Sequence, residues 1–171
     1  INDIVDVAEY FVKNNYTSPA KQLVMGSSAG GFLVGMSINQ RPDLFAGGLF
    51  LSGLPDIVTY RDAAFARESK SVGPIGTKEG FFSSYSVSSY YHIPKNKKLP
   101  AMLVVHGATD YILSIHPAGR YVAKLQKEQK GERPVLLMVD WESGHNGSDK
   151  ELLYIYKFAL WQTGHPDFQF K

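Results

Sequence analysis

Gln22-Leu23-Val24-Met25-Gly26-Ser27-Ser28-Ala29-Gly30-Gly31-Phe32-Leu33-Val34-Gly35-Met36 reads as a strand, a sharp turn and a helix in direct succession. The apolar run at 22–25 has strand character, and the helical spacing that opens at Gly30 ends near Arg41-Pro42. Between them, Gly26-Ser27-Ser28-Ala29-Gly30 fits the pattern Gly-x-Ser-x-Gly. A serine at the centre of such a turn is lifted clear of the sheet on a strained backbone, and flanking glycines remove Cβ atoms that would collide between strand and helix. A glycine-rich turn that only needs small residues fits the pentapeptide equally well, so the rest of the chain decides.

Two further strand ends carry polar residues. The run 101–105 is apolar and leads into His106-Gly107-Ala108-Thr109-Asp110. The run 134–139 leads into Asp140-Trp141-Glu142-Ser143-Gly144-His145. Ser28, Asp110 and His145 thus follow in the order serine, acid, histidine that α/β-hydrolases use, each just past a strand's C-terminal end. Active groups of open parallel sheets gather at that edge.

The residue types suit acyl transfer. A neutral imidazole at His145 takes the proton of the Ser28 hydroxyl and returns it to the leaving group. Asp110 holds that ring in one tautomer and stabilises the transient imidazolium. The N–H of Ala29 is the expected first donor to the oxyanion, with Gly26 and Gly30 framing the turn. The second donor belongs on a loop after an earlier strand, and no such loop is found in this sequence.

With 171 residues, 44% of them hydrophobic, the chain can bury a core, and one domain is the natural expectation. A net charge of +2 without a basic run gives no electrostatic case for nucleic acid or a membrane surface. No apolar stretch approaches the roughly 18 residues of a membrane span. The absence of cysteine excludes disulfides and thiolate metal sites but says little about compartment. Beginning at Ile1 without a leader pattern, the sequence reads as part of a longer polypeptide.

Helices are expected at 3–14, with Ile4, Val7, Ala8 and Phe11 on one face, and at 116–129, with Val122, Ala123 and Leu125 inward. A last helix, 148–163, opens on the capping pattern Ser148-Asp149-Lys150-Glu151 and turns Leu152, Leu153, Tyr156 and Phe158 to the sheet. A strand is expected at 47–51 and an irregular stretch from 53 to 100. Strands alternating with helices imply a mostly parallel sheet of about four strands.

The stretch 26–33, the run Asn39-Gln40-Arg41-Pro42-Asp43-Leu44-Phe45, the segments Ala8-Glu9-Tyr10 and Tyr16-Thr17-Ser18-Pro19, Gly107-x-x-Asp110 and Gly144-His145 together resemble the prolyl oligopeptidase family of serine peptidases. The resemblance covers nearly the whole chain. It implies the C-terminal half of an α/β-hydrolase domain, one partial domain over 1–171, often preceded by a β-propeller. Its substrates would be short peptides or small esters, with no cofactor. The missing half of the sheet would carry the other oxyanion donor. The strand at 22–26 would then have an open edge, free to pair with the N-terminal part or another chain. The chain alone is expected to be weakly active or inactive. Prolyl oligopeptidases carry a substrate-anchoring arginine two residues after the aspartate, where this chain has Ile112, which argues against proline-specific cleavage. An esterase-like hydrolase, or a hydrolase-like binding domain without turnover, fits the same residues.

Other candidates receive plainer roles. The aromatics at 81, 82, 85, 90 and 91 either line a pocket or pack a loop. His106 reads as a core or loop anchor. His92, His116 and His165 lack partners at ligand spacing, so no metal site is expected. Ser27 is a rival nucleophile off the centre of the motif. Asp140 and Glu142 are rival acids read as solvated loop charges, and Asp43 is read as a helix cap.

Overall fold

The computed structural model describes residues 1–59, 73 and 76–170. Strands β1 (Leu23–Ser27), β2 (Gly47–Leu51), β3 (Ala101–Gly107) and β4 (Val135–Asp140) form one sheet in the order β1-β2-β3-β4, every pair parallel. Helices α1 (Asn2–Lys13), α2 (Gly30–Gln40), α3 (Lys78–Val87), α4 (Ile115–Glu128) and α5 (Asp149–Gln162) accompany it. Parallel neighbours need crossovers, and α2 and α4 supply those from β1 to β2 and from β3 to β4.

The two-residue period of a strand sorts the core into two layers. Phe50, Met102 and Val104 face α1, α2 and α4, joining Val5, Ala8, Val34, Ile38, Tyr121 and Leu125. Leu49, Leu103 and Val105 face the other way, onto Ile155 and Phe158 of α5. β3, buried along its whole length, is a continuous apolar run because both its faces are covered.

Several helix expectations are corrected. The stretch 53–100 is not wholly irregular. It contains α3, whose N-terminus is capped by the Thr77 hydroxyl accepting from the Gly80 N–H at 3.1 Å, and a 3₁₀ turn at Ser89–His92. Residues 60–72, 74 and 75 of that stretch lie outside the described residues. α1 buries Val5 and Ala8, leaving Val7 and Phe11 exposed. α4 turns Ala118, Tyr121, Val122 and Leu125 inward and Ala123 outward. α5 buries Glu151, Ile155, Phe158 and Gln162, leaving Leu152, Leu153 and Tyr156 exposed. Asp43 lies inside a short 3₁₀ turn and pairs with Arg41 at 2.7 Å instead of capping it; that contact holds its carboxyl below the usual range.

β1 has β2 as its neighbour in the sheet and β4 has β3, so these two strands form the sheet's edges among the described residues. Met25 on β1 and Leu136 on β4 are exposed. Among the described residues no helix is long and apolar enough to cross a membrane.

Candidate active site

Ser28 follows β1 immediately and has φ +54°, a left-handed backbone that a residue with a Cβ adopts only under local strain. Its N–H extends the sheet ladder to Leu51 O at 2.9 Å, and its carbonyl accepts from Gly31 N at 2.9 Å as α2 begins. The glycines around it act unequally. A Cβ on Gly26 would collide with the Gly30 carbonyl and lie 2.9 Å from Val34 Cγ2. A Cβ on Gly30 would meet nothing within 4 Å. The second close approach belongs to Gly31, where a Cβ would lie 2.7 Å from Gly53 Cα and 2.9 Å from Phe50 Cζ. The expectation that Gly30 relieves a strand–helix clash is therefore corrected: Gly26 and Gly31 do so.

Asp110 is held by the turn that follows β3. Its Oδ1 accepts from the N–H groups of Ile112 and Leu113, both at 2.9 Å. Its Oδ2 lies 2.8 Å from Nδ1 of His145. A carboxylate only accepts here, so Nδ1 is the protonated nitrogen, and the neutral ring presents Nε2 as an acceptor. That Nε2 is 2.9 Å from Ser28 Oγ. The Asp110 side chain is fully buried, and the His145 side chain is 14% exposed. The three side chains form one hydrogen-bonded row, fully buried at the carboxylate, with Ser28 half-buried.

The loop that carries His145 is anchored by polar groups. Asp140, read above as a solvated charge, is buried: its Oδ2 accepts from Ser148 Oγ at 2.7 Å and its Oδ1 from Glu142 N at 3.1 Å. The Ser148 bond, with that N–H, holds its carboxyl below the usual range. Ser148 caps α5 as its pattern predicts, accepting from Glu151 N at 3.3 Å, while the buried Glu151 carboxylate accepts from Ser143 Oγ. Thr109 binds the Ser143 carbonyl with its N–H at 3.1 Å and its hydroxyl at 2.7 Å, joining the loops of Asp110 and His145. Gly107, Thr109, Ser143 and Glu151 are the supporting residues that sequence reading missed. The Ser-x-x-Glu pattern and the glycine beside His106 were their visible traces.

The other candidates lie outside the hydrogen-bonded row, two of them next to it. Ala29 is exposed at the start of α2. Ser27 is exposed and, with Ser52, His145 and Asn146, lines a cavity of about 200 Å³ beside the row. Glu142 is exposed, as expected of a loop charge. Phe81, Phe82 and Tyr85 are exposed on α3, with Phe81 and Tyr85 stacked at 6.1 Å between centroids, while Tyr90 borders a groove with Arg120 and Lys124. His92 Nε2 contacts Tyr85 O at 2.8 Å, His116 is exposed, and His165 accepts from Asp167 N at 3.4 Å. Among the described residues no group of three or more His, Cys, Asp or Glu is arranged to hold a metal.

A parallel sheet flanked by helices, with a strained serine at its C-terminal edge hydrogen-bonded to a histidine from a distant loop, is the architecture of the α/β-hydrolases. The prolyl oligopeptidase family profile matches residues 1–165, and the chain belongs to that family. It is 30% identical over 171 residues to dipeptidyl aminopeptidase BI of Pseudoxanthomonas mexicana, covering 95% of this chain and 24% of that protein. It is 31% identical over 161 residues to prolyl oligopeptidase dbiP of Dendrothele bispora, covering 92% and 22%. A solved structure from a study of two prolyl endopeptidases superposes with a TM-score of 0.85 at 28% identity, covering 95% of this chain and 25% of that one. The chain therefore spans about a quarter of the length of the proteins it matches.

Proposed function

We propose that the chain carries the acyl-transfer centre of a serine peptidase acting on short peptides. In this reading Ser28 is the nucleophile, His145 the general base and then acid, Asp110 the orienting carboxylate, and the Ala29 N–H an oxyanion donor. The observation that carries it is the 2.9 Å approach of His145 Nε2 to Ser28 Oγ, on a ring whose other nitrogen is committed to Asp110.

As Ser28 Oγ attacks the carbonyl carbon, its proton moves to His145 Nε2, and the imidazolium formed is stabilised by the buried Asp110 carboxylate. The carbonyl oxygen becomes an oxyanion facing the Ala29 N–H. Collapse of that intermediate breaks the bond to the leaving amine, which takes the proton from His145 and leaves an acyl-serine. Water, deprotonated by the same Nε2, then releases the acid and restores Ser28.

Peptides are the favoured substrates because the relatives bear the names dipeptidyl aminopeptidase and prolyl oligopeptidase. Ile112 packs with Leu54, Ile57 and Leu113 in an apolar cluster that Phe32 also joins. Its side chain supplies no hydrogen bond to a substrate backbone, which argues against strict proline endopeptidase specificity. A fluorophosphonate probe on the full-length protein tests the reading: covalent labelling is expected in the wild type and absent in Ser28→Ala and His145→Ala. Labelling that persists in Ser28→Ala sinks it.

A further inference from the structure

His106 occupies the end of β3, four residues before Asp110, and its side chain is fully buried. Its Nε2 lies 2.8 Å from the Leu113 carbonyl oxygen. A carbonyl only accepts, so Nε2 bears the proton, and the neutral ring leaves Nδ1 as a bare lone pair. That Nδ1 is buried with no hydrogen-bond partner among the described residues. An unpartnered buried polar atom costs stability, whereas an aliphatic side chain would fill the same space without that cost. Packing alone therefore does not explain an imidazole here; the directed Nε2–H does.

The bond it makes falls on the turn that grips the carboxylate. Leu113 accepts from His106 through its carbonyl and donates to Asp110 Oδ1 through its N–H. Ile112, one residue earlier, donates to the same oxygen. The other oxygen, Oδ2, receives His145 Nδ1 and lies 3.5 Å from His106 Nε2. Two imidazoles thus flank one carboxylate oxygen, one beneath it in the core and one above it facing the serine.

We infer that His106 is a positioning residue for acyl transfer, its Nε2–H fixing the 110–113 turn through Leu113 and so setting Asp110 against His145. The inference rests on the acyl-transfer reading of Ser28, Asp110 and His145. A proton on His106 Nδ1 would be a buried donor without an acceptor among the described residues. Among the described residues, the titratable groups near His145 include Asp110 on that turn, His106 beyond it and, lining the neighbouring cavity, Asp149 and Glu151.

The test uses the full-length protein, with His106→Gln retaining an amide N–H near the Nε2 position and His106→Leu removing every donor. Fluorophosphonate labelling rates are measured against probe concentration from pH 5 to 9. His106→Gln should label within about threefold of wild type, and His106→Leu at least about tenfold more slowly at saturation, with little change in half-saturating probe. The pH midpoint of His106→Leu should move down, because an imidazolium that loses its carboxylate releases its proton more readily. Equal losses in both variants, or an unmoved midpoint in His106→Leu, would mean that the Nε2–H does not set Asp110 against His145. A second measurement needs no activity: the downfield proton between His145 Nδ1 and Asp110 should persist in wild type and His106→Gln and broaden away in His106→Leu. If that resonance is intact in His106→Leu the inference falls, whereas a wild type that takes no probe defeats only the acyl-transfer reading.

Discussion

The carbonyl oxygen of Gly144 lies 2.5 Å from where a Cβ on Gly107 would stand. The end of β3 and the loop of His145 are therefore in backbone contact, and the absence of a side chain at residue 107 lets them meet. Asp110 and His145 hang on either side of this junction, three and one residues away along the chain. Gly107→Ala should force the 143–145 backbone outward and stretch the Asp110–His145 bond. Because a displacement of about 1 Å at a reacting group can cost about 10²-fold in rate, probe labelling should fall by that order while the fold persists. Labelling at the wild-type rate would show that the loop yields without disturbing the imidazole.

Gly30 and Gly31, adjacent at the start of α2, make a paired test of the serine turn. An alanine at 30 points into open space and relieves the entropic cost of a helical glycine, roughly 0.5–1 kcal/mol. An alanine at 31 meets Gly53 Cα and the Phe50 ring, where overpacking costs roughly 1–3 kcal/mol. Thermal unfolding should leave Gly30→Ala at or above the wild-type midpoint and Gly31→Ala well below it. The reverse order would refute this account of the motif.

The strands and the three polar loop ends were legible because each strand is an apolar run broken by glycine or a charged residue. The pattern failed where polar residues occupy buried positions. α5 buries Glu151 and Gln162 beside Ile155 and Phe158 and leaves Leu152, Leu153 and Tyr156 exposed, so apolar character does not mark its buried face. α3 buries Gly80 and Ser84 and leaves Phe81, Phe82 and Tyr85 exposed, so its aromatic residues mark the outer face. The anchoring of Asp140 by Ser148, of Glu151 by Ser143 and of Leu113 by His106 depends on tertiary contact, for which a single sequence holds no period.

Asp140 gives a pH signature. The Ser148 hydroxyl, followed by the Glu142 N–H, depresses its folded pKa below the unfolded value. A depressed carboxylate contributes stability that is fully present above the ordinary pKa of about 3.9 and is lost as pH falls through the folded value. Asp140→Asn retains an acceptor for Ser148 but removes the charge. Its unfolding midpoint should be below that of wild type near neutrality, and the two curves should draw together as the pH falls below the ordinary carboxylate pKa of about 3.9 and through the depressed folded value. Parallel curves over that range would remove Asp140 from the acid limb.

If Ser28, His145 and Asp110 act as a unit, Ser28→Ala in the full-length protein should lower turnover about 10⁴-fold or more, because the members of such a row are interdependent. Asp110→Asn, which preserves shape but weakens control of the tautomer, should lose a comparable factor. A loss below about tenfold in Ser28→Ala, measured as kcat/KM on a peptide ester, would assign the nucleophile elsewhere.

The packing of Ile155 and Phe158 fixes the orientation of α5 on the sheet. Ile155 and Phe158 are 3% and 4% exposed and pack on Leu103 and Val105, whereas Leu153 and Tyr156 are 52% and 64% exposed. Truncating a buried residue removes its transfer free energy and leaves a cavity, so Ile155→Ala and Phe158→Ala should each cost about 2–5 kcal/mol in urea unfolding. Leu153→Lys and Tyr156→Lys, on the opposite face, should each change stability by less than about 0.5 kcal/mol. The apolar spacing of α5 predicts Leu152, Leu153 and Tyr156 turned to the sheet, so Leu153→Lys and Tyr156→Lys separate the two orientations. A cost above about 1 kcal/mol for Tyr156→Lys with a negligible one for Ile155→Ala would mean that the helix is rotated from the position described above.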